Sequence, residues 1–513
     1  MSLAALLASY PPDAIRTPVW SDALDRMRPL SESRGTERDV EAAGKVLQLA
    51  AQRLVRFDAW ALCAFIRCAA AFKGAISQAS LAAWQRALEP LVQDLNPQGV
   101  SNVLLMLGTL ADADSELAKA VDVELAARLL GRAVGLASSL QAQGSANALY
   151  GAALLRLQID GGHFAALLST AHGALRDMSP QGLTQLLLAS QKLIDAAKHQ
   201  EALQPELDPE RMYYPGNEVM HSVLEHAIYL QRQQQLDTQL ACQSLGACGA
   251  LRYLPAETQL MQLLAAIRDK GHEVRGHEAS AALMGCAKLG VQPGADILST
   301  CWHAVVREGA CNGRAVSNVA WALTVLEACD AEMWEQLTAL LAANVSELNS
   351  VQLHQWHWAL LLVAQQHGGT VARPPELFQR SLAAHQADIL QTSQPLSHFH
   401  SALAEAVRGL AGDFGVGRDK VEVEYAVPVC AQMGWVRVDI AIPSRRLVVE
   451  ADGPHHYLRN VDPLQETGDT LARNRLLRGA GWDVVTVPHT VFDHLIGQDP
   501  SHEHLVAGLR EYL

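Results

Sequence analysis

The chain has 513 residues, 49% of them hydrophobic and 18% charged. That is ample apolar material for a large folded body and excludes a disordered chain. The formal net charge of −14 at pH 7 counts against non-specific binding to nucleic acid, which phosphate neutralisation drives; such binding would need a local basic stripe or base contacts.

Residues 1–38 read as an N-terminal extension. Met1 to Val40 lacks the charged-then-apolar layout of a signal peptide. Asp13, Asp22, Asp25, Glu32, Glu37 and Asp39 make it too acidic for a typical organelle transit peptide. A cytosolic location, or a start lying further upstream, would account for this. The longest uncharged stretch, Ala133 to Leu155, carries Ser, Gln and Asn throughout, so no membrane span is expected. The nine cysteines form no CxxC pair and mostly sit in apolar helical runs. They read as small buried hydrophobes in a reducing compartment; Cys301 with His303, and Cys311, lack a complete metal-ligand set.

Residues 39–370 repeat one pattern: a cap-like residue, a polar first turn, then a helix rich in Leu and Ala. Examples are NPQGVSNVLLMLGTLA from Asn96, SPQGLTQLLLASQKL from Ser179, NGRAVSNVAWALTVLE from Asn312 and NSVQLHQWHWALLLVA from Asn349. One central position aligns Cys63, Asn102, Asn147, Gln185, Cys242, Ala281, Asn318 and Gln355, spaced 37–45 residues apart except for one interval of 57. The long interval holds an insertion near 205–219. Another helical stretch precedes each of these, so the unit is a helix pair, present about eight times. Helices apolar nearly all round must stack on their neighbours, which predicts an α-solenoid.

Residues 371–420 read as a helical linker, with helices near Glu376 to Ala387 and Ser397 to Leu410. A final loop, Gly412 to Gly417, precedes the strands. Val436 to Ile442 alternates apolar and polar residues, which predicts a strand. Pro443 to Arg446 suits a tight turn, and Leu447 to Ala451 is a second strand. A turn centred between Ser444 and Arg445 makes facing residue numbers sum to 889. Asp439 then opposes Glu450, and Arg437 opposes Asp452 as an ion pair. Opposed carboxylates repel; a cation between them, a shared proton or a need for a base would explain them. Asp469 to Gly479 reads as a helix with Leu471, Leu476 and Leu477 on its apolar side. Trp482 to Val487 is a third strand, ended by Pro488.

The motifs DIAIP, VVEADGPHHY, TGDTL and LLRGAGWDVVTVP resemble those of a RAP domain over about residues 421–513. The RAP domain is similar to the PD-(D/E)xK nucleases, above all the very-short-patch repair endonucleases with their D…E-x-D-G…H pattern. The repeat length and the N-x-x-W-A-L core resemble octotricopeptide or heptatricopeptide repeats, which often precede a RAP domain. The expected fold is thus an α-solenoid of helix-pair repeats followed by a small α/β domain of PD-(D/E)xK-like type.

That resemblance implies a sequence-selective RNA-binding protein in transcript processing, stability or translation. It points to a mitochondrion or chloroplast, with single-stranded RNA and other RNA-processing proteins as partners and no membrane. An alternative is a metal-dependent endoribonuclease: Asp439 and Glu450 would hold Mg²⁺, Asp452 would assist, and His456 would act as base by analogy with the repair endonucleases. Asp452 stands where the usual lysine of the E-x-K pair would be. A protein-binding scaffold is the third reading.

The recurring Asn or Gln reads as a buried hydrogen bond between helices. Residues four and one before it vary between repeats and share a helix face near its start. Gln98, Ser101, Gln181, Thr184, His277, Ser280, Arg314, Ser317 and His354 are therefore candidate RNA contacts, against the plainer reading of a solvated first turn. Arg437, Arg459, Arg473, Arg475 and Arg478 are candidate phosphate contacts, against salt bridges to nearby acids. His398 and His400 read as plain surface histidines.

Overall fold

The computed structural model describes residues 37–72, 75–198, 208–233, 238–308, 313–369, 371–391, 397–430, 433–498 and 502–512. The expected N-terminal extension lies almost wholly outside the described residues, as do Cys311, Asn312 and the start of the insertion. The chain forms two compact units, Met1–Leu236 and Asp237–Leu513.

In the first unit the inner helix of each pair is α1 (Ala59–Ala71), α2 (Pro97–Ala113), α3 (Ala142–Leu154) and α4 (Pro180–Lys198). Each packs against the next, with the partner helices, such as Gln78–Leu88 and Val123–Gly135, alongside. In the second unit α5 (Thr238–Ala250), α6 (Gly276–Leu289), α7 (Gly313–Val325) and α8 (Ser350–Gln366) stack in the same way. The cap-like residues do cap. Asn96 Oδ1 accepts from Gly99 N–H at 2.7 Å, and Asn349 Oδ1 from Gln352 N–H at 3.0 Å, each satisfying a donor that the first turn leaves unpaired.

The other ends of the inner helices share a device that the sequence does not advertise. Arg156, Arg252, Gly290, Glu327 and Gly368 all adopt positive φ just past a helix. Behind them Tyr253 N–H reaches Cys248 O at 2.9 Å, Val291 N–H reaches Cys286 O at 2.9 Å, and Ala328 N–H reaches Leu323 O at 2.8 Å. This is the Schellman closure that satisfies a helix's last carbonyls. It tolerates Arg and Glu at three of these termini, so glycine marks only some of them. Between inner helices, backbones touch. A Cβ on Gly249 would lie 2.7 Å from Gly285 Cα, and one on Gly108 would lie 2.8 Å from Gly151 O.

The recurring amide is a hydrogen-bond ladder in the first unit. Asn147 Nδ2 donates to Asn102 Oδ1 at 3.1 Å, and Gln143 Nε2 donates to Asn147 Oδ1 at 2.9 Å and to Gln185 Oε1 at 3.0 Å. It ties α2, α3 and α4 together, as a buried polar group must be satisfied.

The stretch expected to be a linker is two parts of the folded second unit. Helix α9 (Pro375–Gln391) packs on α8 and continues the stack. Helix α10 (His398–Gly409) supplies Leu403 and Val407 to the core of the α/β domain. That domain is a sheet in the order β1-β2-β3-β4: β1 (Glu422–Cys430), β2 (Gly434–Ile442), β3 (Leu447–Asp452) and β4 (Asp483–Pro488). The first three run antiparallel, and β4 joins β3 in parallel through the crossover helix α11 (Gly468–Gly479). Strand β1 is absent from the sequence expectations, because Pro428 and its acidic residues blur the alternation. Two helices, α12 (His489–Gln498) and α13 (His502–Tyr512), finish the domain.

One face of the sheet, with Ile440, Ile442, Val449 and Val487, packs on Leu403, Phe492 and Leu509 from α10, α12 and α13. Helix α11 contacts α6, α7 and α8 of the stack as well as β1 and β4. Only Leu476 and Leu477 of its expected apolar side are buried; Leu471 is 41% exposed. Where α8 and α9 meet β2, three imidazoles stack. His357 lies 4.6 Å from His385, which lies 5.3 Å from His354. His357 Nε2 meets Met433 O at 2.7 Å and His385 Nε2 meets Trp435 O at 2.8 Å. Burial, then the neighbouring His385, pushes His357 down to about 3, and burial lowers His354 and His385 as well.

Cys63, Cys248, Cys286, Cys301, Cys329 and Cys430 are free thiols, and no described helix is long and apolar enough to cross a membrane.

Gly468 opens α11 directly against Ala287 O and Gly290 of α6. An added methyl has no room, because its neighbour is backbone. Gly468→Ala should therefore cost about 1–3 kcal/mol and lower the melting temperature of the full chain. Gly131→Ala, where a Cβ meets nothing, should hold or raise it by the helix propensity of alanine. Equal melting of the two variants in a calorimetric scan would contradict this docking.

The carboxylate cluster and the repeat edge

The hairpin register matches the spacing argument where the ladder runs: Ile440 faces Val449, Ala441 faces Val448 and Ile442 faces Leu447, each pair summing to 889. The turn is a 3₁₀ segment, Pro443–Arg445, closed by Arg446 at φ 49°. Beyond Ile440 the ladder gives way to side chains. Asp439 Oδ2 accepts Ala451 N–H at 2.7 Å, and Glu450 Oε2 accepts Asp439 N–H at 3.4 Å. The strands therefore part before Arg437 can meet Asp452. Arg437 instead pairs with Glu424 of β1 and donates to Ile389 O at 3.0 Å, so the expected Arg437–Asp452 ion pair does not form.

Asp439, Glu450 and Asp452 do gather on one side of the hairpin, and a cation does stand with them: the guanidinium of Arg473, from α11. Its Nη2 lies 3.0 Å from Glu450 Oε1 and donates to Arg437 O at 2.6 Å. Asp439 Oδ2 also lies 3.4 Å from His400 Nε2, so His400 is part of the cluster rather than a plain surface histidine. Nothing in the sequence joins positions 400 and 439; tertiary packing of α10 does. Tyr457 OH donates to Asp452 Oδ2 at 3.4 Å, and His456 Nδ1 lies 3.1 Å from Thr470 Oγ1 and 3.7 Å from Asp452 Oδ1.

Burial pushes the Asp439 carboxyl up, but its hydrogen bond to His400 and the charges of His400 and Arg473 outweigh this and bring it to about 2. That hydrogen bond in turn raises His400. Burial pushes Glu450 upward against the pull of Arg473. It lifts Asp452 to about 7, again against Arg473. Burial, with the charges of His455 and Arg473, drops His456 to about 3. The opposed pair is thus relieved by asymmetry: one carboxylate ionised on a histidine, the other favouring its proton.

These residues do not fit the Mg²⁺ of the alternative nuclease reading. The side chains of Glu450 and Asp452 are each 1% exposed, whereas Mg²⁺ keeps several of its waters. One Glu450 oxygen faces Arg473, and Asp439 Oδ2 is taken by Ala451 N–H and His400. His456, held near 3, is poorly matched to general-base work at neutral pH.

The candidate phosphate contacts are largely engaged within the fold. Arg475 donates to Thr324 O at 3.0 Å and Val325 O at 3.2 Å and pairs with Glu327 Oε1 at 2.8 Å. Arg478 donates to Val484 O at 3.3 Å, and at Arg459 it is the main-chain N–H that donates, to Arg252 O at 2.8 Å.

The repeat candidates divide by depth. Gln98, Gln181, His277 and Arg314 are exposed in the first turns of α2, α4, α6 and α7. Ser101, Thr184, Ser280 and Ser317 are 8% exposed or less. They are corrected to packing positions: Ser101 Oγ donates to Gln98 O at 3.1 Å and Ser317 Oγ to Gly313 O at 2.8 Å. The inner helices approach so closely that the residue three further along is already covered. His354 is held in the imidazole stack and accepts Trp358 Nε1–H at 3.0 Å.

Asp452 gives a pH test. Its folded pKa of about 7 lies above an unfolded value near 3.9, so the folded state keeps a proton that the unfolded chain releases. The associated stability is full below about pH 4 and is lost as pH rises through 7. Asp452→Asn, which stays neutral, should gain on wild type between pH 5 and 8, by on the order of several degrees in melting temperature. A difference that does not change with pH would refute the raised pKa.

A family model described as the RAP domain matches residues 449–506, which covers β3, α11, β4 and α12. A "RAP domain-containing protein, chloroplastic" from Oryza sativa subsp. japonica is 35% identical over 69 residues, 13% of this chain and 10% of that protein. The matched region thus spans about a tenth of that relative's length. Among solved structures, a homology model of the full-length AP-3 complex in an intermediate open conformation covers 75% of this chain and 89% of its own, at 11% identity and a TM-score of 0.18. A likeness that weak carries no argument. The chain therefore carries a RAP domain at its C-terminal end, behind helices consistent with helical repeats.

Proposed function

We propose that this chain is a sequence-selective RNA-binding protein that holds single-stranded RNA along the first turns of its inner helices. The observation that carries the reading is the recurrence of an exposed, chemically varied side chain at one repeat position: Gln98, Gln181, His277 and Arg314. Amides, imidazole and guanidinium can each hydrogen-bond a base edge, and variation from unit to unit is what a reader of sequence needs. A net charge of −14 makes affinity depend on such contacts more than on phosphate. The RAP domain is associated with RNA binding, which supports the reading. The chloroplastic relative supports an organellar setting, with a role in transcript processing, stability or translation and other RNA-processing proteins as partners.

Crosslinking followed by sequencing of bound RNA tests the proposal, and equal affinity for hairpins and unstructured oligomers would count against it. Arg314→Ala should weaken single-strand binding by on the order of 1–3 kcal/mol at its own base position and relax specificity there. Arg475→Ala should lower thermal stability and leave the salt slope of binding unchanged. A flattened slope with unchanged melting would reassign Arg475 to phosphate contact.

A further inference from the structure

In the first unit a cavity of about 370 Å³ opens between the starts of α1 and α2. Its size suits a small organic ligand. Trp60, in the first turn of α1, lines it with 57% of its surface exposed. An exposed tryptophan beside a concave site offers a flat stacking face. Gln98 and Asn102 of α2 line the same cavity. Asn102 Oδ1 is taken by Asn147 Nδ2, which fixes the amide so that it offers NH₂ donors. Arg67 is at the wall, together with Asp58 and Asp94.

The charges select the ligand. Two carboxylates against one guanidinium disfavour a phosphate. Each helix start already carries a side-chain cap, Asp58 on Ala61 N–H at 2.8 Å and Asn96 on Gly99 N–H at 2.7 Å, and Pro97 has no N–H to give, so fewer donors are left for an anion than at an uncapped start. Cys63, also in the wall, has its thiol pushed up to about 11 by burial, which leaves it neutral and a poor nucleophile. The remaining fit is a flat, uncharged heterocycle with donors and acceptors along its edge.

We propose that this cavity takes one unpaired nucleobase, stacked on Trp60 and hydrogen-bonded by Gln98 and Asn102. It rests on the RNA-binding reading and gives that reading an anchoring point in the first unit. The carboxylates add acceptors for an exocyclic amino group, so adenine, cytosine or guanine is favoured over uracil.

The test uses the full chain and uncharged nucleosides, followed by single-stranded oligomers. Saturation-transfer NMR should show transfer to the base protons of adenosine, cytidine or guanosine. Trp60→Ala should abolish it, and Trp60→Phe should keep most of it. Trp60→Ala should also weaken single-stranded RNA binding by on the order of tenfold, with melting unchanged because the side chain is exposed. Gln98→Ala should alter the preference among bases at one position. If wild type binds RNA and Trp60→Ala binds it equally well, the base site is overturned while the RNA reading stands. Transfer that depends on Trp60, without binding to any strand, keeps the base site and removes the RNA reading. No transfer from any nucleoside, or transfer only from aromatic peptides, overturns the site.

Discussion

Every α-helix ends on carbonyls that have no partner within it, and the second unit is built on how those ends are completed. The Schellman closures after α5, α6 and α7 leave a row of backbone groups at one rim of the stack. The α/β domain is seated on that row. Arg475 fills the last carbonyls of α7, Gly468 lies against the end of α6, and Gln365 of α8 donates to Leu476 O at 2.9 Å. Past α5, Arg252 donates to Pro454 O at 2.7 Å, and Asn460 brackets Leu254 with bonds of 2.7 and 2.8 Å. Most of these bonds have a backbone group on at least one side, so they depend on repeat geometry more than on residue type.

That seating separates two jobs along the inner helices. Within the second unit the C-terminal ends of α5, α6 and α7 hold the α/β domain, and the first turns of α6 and α7 carry the exposed His277 and Arg314. The arginine-rich stretch around α11 looks from its composition like a phosphate surface, yet carbonyls and carboxylates of the same unit occupy much of it. Much of the arginine charge around α11 is thus spent inside the fold.

The repeat unit, the hairpin register and the crossover helix were legible because each is a local pattern: a helical period, an alternation, a turn of even length. The amide ladder was legible because Asn or Gln recurs at one repeat position, at Asn102, Asn147 and Gln185. What stayed hidden is tertiary. Ser101 and Ser317 share the helix face of Gln98 and Arg314, and only the closeness of neighbouring helices covers them. The imidazole stack joins His354, His357 and His385 across two helices, and His400 reaches Asp439 from a third. Three of the positive-φ closures were illegible for another reason: Arg156, Arg252 and Glu327 occupy positions where glycine would have signalled them, as Gly290 and Gly368 do.

The carboxylate cluster is organised around a guanidinium. Arg473 supplies positive charge from α11, so the hairpin and the crossover helix are held at one point. A buried contact of this kind is weak evidence for stability, since desolvation offsets much of any charge attraction and burial favours the protonated form of Glu450. Its geometric effect is firmer. By accepting Ala451 N–H, Asp439 takes the place of a ladder carbonyl and ends the pairing of β2 with β3. The parted strands turn Arg437 toward β1, where it meets Glu424 and the end of α9. A residue pair that would repel in a plain hairpin thus fixes where the hairpin opens, and that opening joins the sheet to the helical stack.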